Sequence, residues 1–349
     1  MKKRIFAWLF ITVLITGAVL HFMSLLLMPK YVSLSREGAL VAEYYNEADK
    51  NREHQVVFLG DCEVYESFVP PILWERCGIT SYVRGSAQQL IWQSYYLLED
   101  ILRYETPQIV VLNVFAMKYG EPQKEEYNRM TLDGMKPSSS KHRAILASLT
   151  DGESVLSYYF PILRFHSRWK ELSFEDVKYV FKRPQVSHNG YLMHTEINGA
   201  ENNYEAIRNE AERFLYEPTL PQMAFDYLDK TRALCESRGI RLILIKSPTR
   251  SVRFWWYDEW DEQICEYADN FGLDYYNFMN NEALKINWDT DTYDEGIHLN
   301  VWGAEKLSEY FGELLSSKYG LEDLRGNQQM CEIWEQKVKK YYEERNNSI

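Results

Sequence analysis

Along this chain, short apolar runs ending at glycine or a small polar residue alternate with longer stretches of helical spacing, and this alternation limits the fold more than any other feature. The runs lie at 54–60, 79–83, 109–115, 240–245 and 273–278, each about the length of one buried strand. Between them stand helical patterns at 87–104, 221–238, 259–271 and 303–319. A strand that is apolar throughout leaves neither side in water, so helices must cover both faces of the sheet. Strand–helix–strand repeats of this length connect parallel strands. The expected fold is therefore α/β, a three-layer, doubly wound parallel sheet spanning 54–325. In such sheets the site lies beyond the carboxyl ends of the strands, so the residues that follow each strand are the first candidates for chemistry.

A different kind of segment precedes this region. Lys2, Lys3 and Arg4 stand before an apolar stretch at 5–28, 24 residues interrupted only by Thr12, Thr16, Gly17, His21 and Ser24. As a helix rising about 1.5 Å per residue, it reaches across a hydrocarbon core of roughly 30 Å. It exceeds the roughly 7 to 15 apolar residues of a cleaved signal peptide, and no small-x-small site follows it. Residues 1–30 are thus read as an uncleaved membrane anchor, with the signal peptide as the competing reading. The basic flank places the N-terminus inside and everything after Lys30 outside, giving a single-pass cell-membrane protein with an extracytoplasmic C-terminal domain. His21 is costly in lipid, and either a partner helix or snorkelling to the outer boundary accommodates it. Residues 31–53 are polar, lack a clear period and read as a stalk.

The stretch 118–220 breaks the alternation with aromatics, charges and several short helical patterns. A mainly helical insertion of that size between two strands forms either a lid near the site or a cover for one sheet face. Residues 326–349 read as a charged C-terminal helix. The net charge of -12 argues against a nucleic-acid partner, which needs a basic face. Aromatics at 15% suit a carbohydrate-facing cleft as well as a packed core. Five cysteines, Cys62, Cys77, Cys235, Cys265 and Cys331, are too scattered for a disulfide scaffold, and an odd number leaves at least one thiol unpaired within the chain. Cys62 is the candidate for that thiol.

Two segments hold the residues that chemistry needs. The first strand ends in Gly60-Asp61-Cys62-Glu63, which sets a small nucleophile at a strand-to-helix turn where backbone N–H groups can face a developing oxyanion. A buried structural cysteine is the plainer alternative. Near the end of the chain, Asp291-Thr-Tyr-Asp294-Glu295-Gly-Ile-His298-Leu-Asn300 supplies an imidazole with three carboxylates a few residues before it. Acyl transfer by a nucleophile and a histidine requires a third group that fixes the ring tautomer, a role open to Asp294 or to its rival Glu295. His166, His188 and His194 lack metal-ligand spacing, so no metal and no cofactor are expected. Arg164 and Arg168, four residues apart among aromatics, suit an anionic glycan or phosphate, or simply a helix surface.

At these residues the chain resembles the SGNH (GDSL-like) hydrolases. Gly60-Asp61-Cys62 is similar to their opening Gly-Asp-Ser block, with cysteine in place of the serine. Glu295-Gly-Ile-His298-Leu-Asn300 with Gly303-Ala304 resembles their closing Asp-x-x-His block, in the form seen in extracytoplasmic members. Gly85, in Val83-Arg-Gly85-Ser86, looks like the second block, whose glycine N–H helps bind the oxyanion, and Asn113 stands where the third block places its asparagine. The Gly-x-Asn-Asp motif itself is absent. The resemblance covers roughly 56–115 and 240–310 and not the insertion. With the N-terminal anchor, it extends to the proteins that D-alanylate teichoic acids or O-acetylate alginate beside a membrane-bound O-acyltransferase.

What the resemblance implies is a flavodoxin-like SGNH fold and an esterase or acyltransferase acting on acylated cell-surface polysaccharide. Cys62 would be the nucleophile, His298 the base and Asp294 or Glu295 its support, with the N–H groups of Cys62 and Gly85, and Asn113, as oxyanion donors. Carbohydrate or an acyl donor would be the substrate and a membrane-bound O-acyltransferase a partner. The alternative of another class is a catalytically inactive surface protein that keeps the fold to bind glycan or that acyltransferase. An intracellular hydrolase is a third class, disfavoured by the apolar stretch.

Overall fold

The computed structural model describes residues 2–29, 37–46, 53–182, 185–200, 217–250, 256, 258–279 and 281–348. Five strands, β1 (Val56–Gly60), β2 (Ser81–Gly85), β3 (Ile109–Asn113), β4 (Arg241–Lys246) and β5 (Asp274–Asn277), form one sheet in the order β2-β1-β3-β4-β5. Every pairing is parallel, in the register Val56↔Ser81, Val56↔Ile109, Ile109↔Arg241 and Ile243↔Asp274. The order reverses between β1 and β3, and the crevice beyond their carboxyl ends is where such sheets bind ligands. Cys62 follows β1 directly, and Asn113 ends β3.

The alternation of side chains along each strand divides the interior in two. Val57, Leu59, Val110, Leu112, Leu242 and Leu244 face one core, whereas Val56, Phe58, Ile109, Val111, Ile243 and Ile245 face the other. The first core is closed by α5 (Ile91–Ile101), α7 (Ser139–Ser148), α11 (Gln222–Ser237) and α12 (Asp258–Phe271), through Trp92, Ile145, Leu228 and Ile264. The second is closed by α3 (Cys62–Tyr65), α4 (Pro70–Cys77), α13 (Val301–Tyr319) and α14 (Gln328–Asn347), through Tyr65, Leu73, Phe311 and Tyr341. The layers, the parallel pairing and the helix positions follow the alternation in the sequence. The run at 79–83 gives a strand two residues later, because Gly78 closes α4 in the left-handed region at φ 68 and Ile79 and Thr80 complete the link.

Helix α1 (Lys2–Leu27) is apolar and long enough to cross a membrane by length and composition, with mean hydropathy 2.2 over an 18-residue window within Lys3–Leu27. The stretch expected to be a stalk differs where it is described. Helix α2 (Glu37–Glu43) and the 3₁₀ turn Tyr44–Asn46 belong to the globular part, with Leu40, Val41 and Tyr44 buried. Tyr44 donates to Glu105, and the Arg84 guanidinium lies 4.2 Å from its ring centroid. No one-sided helical period marks this segment, because Leu40 enters one core and Val41 and Tyr44 the other. The rest of the expected stalk, 31–36 and 47–52, lies outside the described residues.

Part of the insertion covers one sheet face. Helices α6 (Glu125–Leu132) and α7 pack with α5 over one sheet face. Its later residues run instead along the outer edge of β2, where the Val83 N–H donates to Asn189 O, and on to the end of α3, where the Leu192 N–H donates to Tyr65 O. Between these parts lie α8 (Val155–Tyr159), α9 (Ile162–Phe165), a 3₁₀ turn (His166–Lys170) and α10 (Phe174–Phe181), beside α1. The portions 183–184 and 201–216 lie outside the described residues. The C-terminal helix α14 is more than a charged tail, since Trp334 stacks on Trp74 and Glu344 meets His188 at 3.1 Å.

Candidate active site

Gly60 makes the turn that presents Cys62. Its φ of 155 and its packing, with a notional Cβ 2.9 Å from Asn113 Cβ, admit no side chain, so β1 runs straight into α3. Asp61 caps that helix by accepting from the Glu63 N–H at 3.2 Å, and Cys62 is the first helical residue. Because Asp61 occupies the Glu63 N–H and its carbonyl the Val64 N–H, the Cys62 N–H is the first-turn donor left for a ligand. Gly85 ends β2 in register with Gly60, and a Cβ there would stand 2.9 Å from Gly60 O.

His298 reaches the same edge from the loop before α13. Asn300 caps α13 through the Trp302 and Gly303 N–H groups, which fixes where that loop ends. The His298 ring lies near enough to the Cys62 thiol for each to influence the other's charge, and its Nδ1 lies 2.6 Å from Asp294 Oδ2. Asp294 Oδ1 also accepts from the His298 N–H at 2.8 Å, so the carboxylate grips both ring and backbone. Nδ1 engaged with Asp294 leaves Nε2 for the sulfur side of the ring.

The choice between Asp294 and Glu295 turns on backbone shape. Glu295 and Gly296 adopt left-handed conformations, φ 64 and φ 85, which swing the Glu295 side chain out and bring Asp294 onto the ring. The Glu295 N–H donates to Asn198 O and the Gly296 N–H to Thr292 Oγ1, while Thr249 Oγ1 donates to Gly296 O and Ile297 O. These bonds hold a conformation that costs an ordinary residue about 1–2 kcal/mol.

Sequence reasoning missed a second carboxylate. Glu66 Oε2 lies 3.4 Å from His298 Nδ1 and accepts from the Tyr293 hydroxyl at 3.0 Å. Tyr293 stacks on His194 with ring centroids 3.9 Å apart, and His194 Nε2 lies 3.5 Å from Glu66 Oε1. Glu66 stands four residues after Cys62, one helical turn on, and that spacing was the available signal. Tyr293 gave none, and His194 offered only its type.

Asn113, expected among the oxyanion donors, points its side chain at the nucleophile turn. Its side-chain amide donates to Glu63 Oε2 at 3.0 Å and Asp61 Oδ1 at 3.4 Å, so it ties the end of β3 to the nucleophile turn. Glu63 also accepts from Lys246 Nζ at 2.8 and 2.9 Å, with side-chain exposures of 0% for Lys246 and 1% for Glu63. The turn that carries Cys62 is thereby fastened to β3 and β4 by fully buried polar contacts.

The electrostatics follow from burial. Cys62 is 7% exposed and the His298 side chain 11%. Burial pushes the Cys62 thiol up to about 12, against the pull of the nearby imidazole. Burial opposes a charged His298 as well, yet Glu66 and the Asp294 hydrogen bond overcome it and hold the imidazole well above its ordinary value. Asp61 is pushed up to about 7 by burial and by Glu63, and burial lowers Lys118 to about 7. A weak thiol acid therefore faces a strengthened base. Among the described residues no cluster of three or more His, Cys, Asp or Glu side chains can hold a metal ion.

The class these features define is a parallel α/β protein with a Cys–His–Asp arrangement at the topological switch point and one apolar N-terminal helix. No family model matches the chain, and no curated protein matches its sequence.

Proposed function

We propose that the protein is a membrane-anchored, extracytoplasmic, SGNH-like esterase or acyltransferase that acts on acylated cell-surface polysaccharide through a thioester at Cys62. The observation that carries this reading is the His298 ring, held by Asp294 at 2.6 Å, within electrostatic reach of the Cys62 thiol although the two residues stand 236 positions apart in sequence. In the first half-reaction Sγ attacks the acyl carbonyl and its proton passes to Nε2 of His298. The carbonyl oxygen, negative for the moment, meets the N–H groups of Cys62 and Gly85. The carbon–oxygen bond to the leaving alcohol then breaks, and Nε2 returns the proton to that alcohol. In the second, water or a sugar hydroxyl gives its proton to Nε2 and attacks the thioester, and the thiol is released and reprotonated. Asp294 holds the tautomer in both halves, and Glu66 raises the affinity of the ring for the proton it must accept. A membrane-bound O-acyltransferase is the partner this chemistry suits, because a thioester passes its acyl group onward readily.

A second reading, a glycan- or acyltransferase-binding protein without catalysis, is favoured by one observation, the burial that makes Cys62 a weak acid. Alkylation of Cys62 against pH separates the two, read by mass spectrometry of the Cys62 peptide. Proton transfer to His298 gives a reaction whose rate is level around neutral pH and collapses in His298→Ala. An isolated buried thiol gives a rate that climbs about tenfold per pH unit and ignores that substitution.

A further inference from the structure

The distribution of exposed apolar side chains is uneven. Outside α1, seven of the ten large apolar side chains that the described residues leave exposed fall within 156–181. Leu156, Phe160, Leu163, Trp169, Phe174 and Phe181 are each more than half exposed, Phe174 and Phe181 at 72% and 76%. A concentration of this kind on a soluble surface marks an interaction site.

Its position relative to α1 indicates what covers it. From residue 5 to residue 22 the helix touches little of the globular part, and from Met23 to Pro29 it is flanked by it, with Ser24 and Leu27 buried. The bare portion, 18 residues, measures about 27 Å at roughly 1.5 Å per residue. That matches a hydrocarbon core of about 30 Å, so the globular part begins where a spanning α1 leaves the bilayer.

The exposed segment is fastened at that level. Arg168 donates to Leu27 O and Met28 O, both at 2.8 Å, capping the end of α1, and it pairs with Asp176 of α10. Phe181 at the far end of α10 packs against Phe22 of α1, with ring centroids 6.2 Å apart. Phe22 precedes Leu27 by five residues, about 7.5 Å of helix rise, so α10 descends from the end of the span towards its interior. Amphipathic helices lying in the interface bury their apolar side by about 5–10 Å.

We propose that the outer face of 156–181 is a second membrane contact, seated among the headgroups and upper acyl chains of the leaflet from which the globular part emerges. Its occupant is lipid, and its effect is to convert a tether into a two-point mount that fixes the orientation of the carboxyl edge of the sheet to the bilayer. The inference rests on α1 crossing the membrane and not on the chemistry at Cys62.

The test is photo-crosslinking of the full-length protein in vesicles of phosphatidylcholine and phosphatidylglycerol, with p-benzoylphenylalanine at position 174 or 181. The same probe at position 10 within α1 is the positive control, and at position 271, where an exposed Phe lies on α12, the negative one. Each replaces an exposed aromatic ring, so folding is preserved. The expected result is lipid adducts at 174 and 181 as at 10, with their loss at 271. Lipid adducts at 10 alone, adducts at 271 equal to those at 174, or crosslinks from 174 and 181 to a second copy of the chain would each overturn the proposal.

Discussion

Replacing Lys246 with Met removes the ammonium that Glu63 accepts at 2.8 and 2.9 Å, in a place where neither side chain meets water. Opposite charges at 2.8 Å attract by about 6 kcal/mol at an effective dielectric near 20. Much of that attraction offsets the cost of taking both ions out of water. Removing one partner abolishes the attraction but leaves the other ion buried, which costs about 3–5 kcal/mol. Against a domain stability of about 5–15 kcal/mol this is a large fraction. The expected outcome for Lys246→Met is a loss of that size in urea unfolding of the detergent-solubilised full chain, with faster exchange of the amide hydrogens around Cys62. Adding Glu63→Gln should recover most of the loss, because an amide carries no charge to strand. A loss below about 1 kcal/mol in Lys246→Met, the level of a surface pair, would refute the claim that this contact fastens the nucleophile turn.

Asp294→Asn should lower the rate of Cys62 acylation by about 10²–10⁴-fold, whereas Glu295→Gln should leave it nearly unchanged, since of these two carboxylates Asp294 is the one that touches the ring. Stopped-flow labelling with an activated ester measures both, and equal losses would contradict the assignment of Asp294. Asp61, pushed up to about 7 in the folded protein, keeps its proton there after the unfolded chain has released it near its ordinary value of about 3.9. Its stabilising contribution is complete below that value and is lost as pH rises through about 7, so Asp61→Asn should flatten the fall in stability between about pH 4 and 7. Thermal unfolding across that range reads it, and an unchanged slope would contradict the assignment. At Gly190, φ is 87 and the backbone carbonyl of Val83 fills the space a Cβ would take, so Gly190→Ala should destabilise the protein by several times the roughly 1 kcal/mol of an ordinary glycine substitution. A melting temperature equal to that of the wild type would show that 189–192 is not seated on the sheet edge.

The sheet was legible because its central strands are apolar on both faces and so announce parallel, covered packing, as at Val56–Gly60 and Ile109–Asn113. Cys62 and His298 stood out because each follows a boundary at the end of a strand or before a helix, where side chains project into the crevice. Asp294 could be placed only to within one residue, since the left-handed pair Glu295 and Gly296 is a property of the folded loop. The partners of Asn113, Glu63 and Asp61, come from another strand's turn and were not legible from its position. Lys246 and Tyr293 carry no local pattern that separates them from surface residues, and Glu66 carries only its spacing from Cys62; their roles arise from contacts spanning 183 residues between Lys246 and Glu63 and 227 between Tyr293 and Glu66. The segment at 37–46 was misread for a related reason. Glu43 there is buried and accepts from Val186 and Ser187, partners 143 and 144 residues away in sequence.

The central claim is a covalent acyl group on one sulfur. Intact-mass spectrometry of the full-length protein after exposure to a small activated ester tests it most directly, in wild type, Cys62→Ala and His298→Ala. The account predicts a gain of one acyl group in wild type, its removal by neutral hydroxylamine as expected of a thioester, and its absence in both variants. An unmodified wild-type protein, or an acyl group that persists in Cys62→Ala, would contradict it.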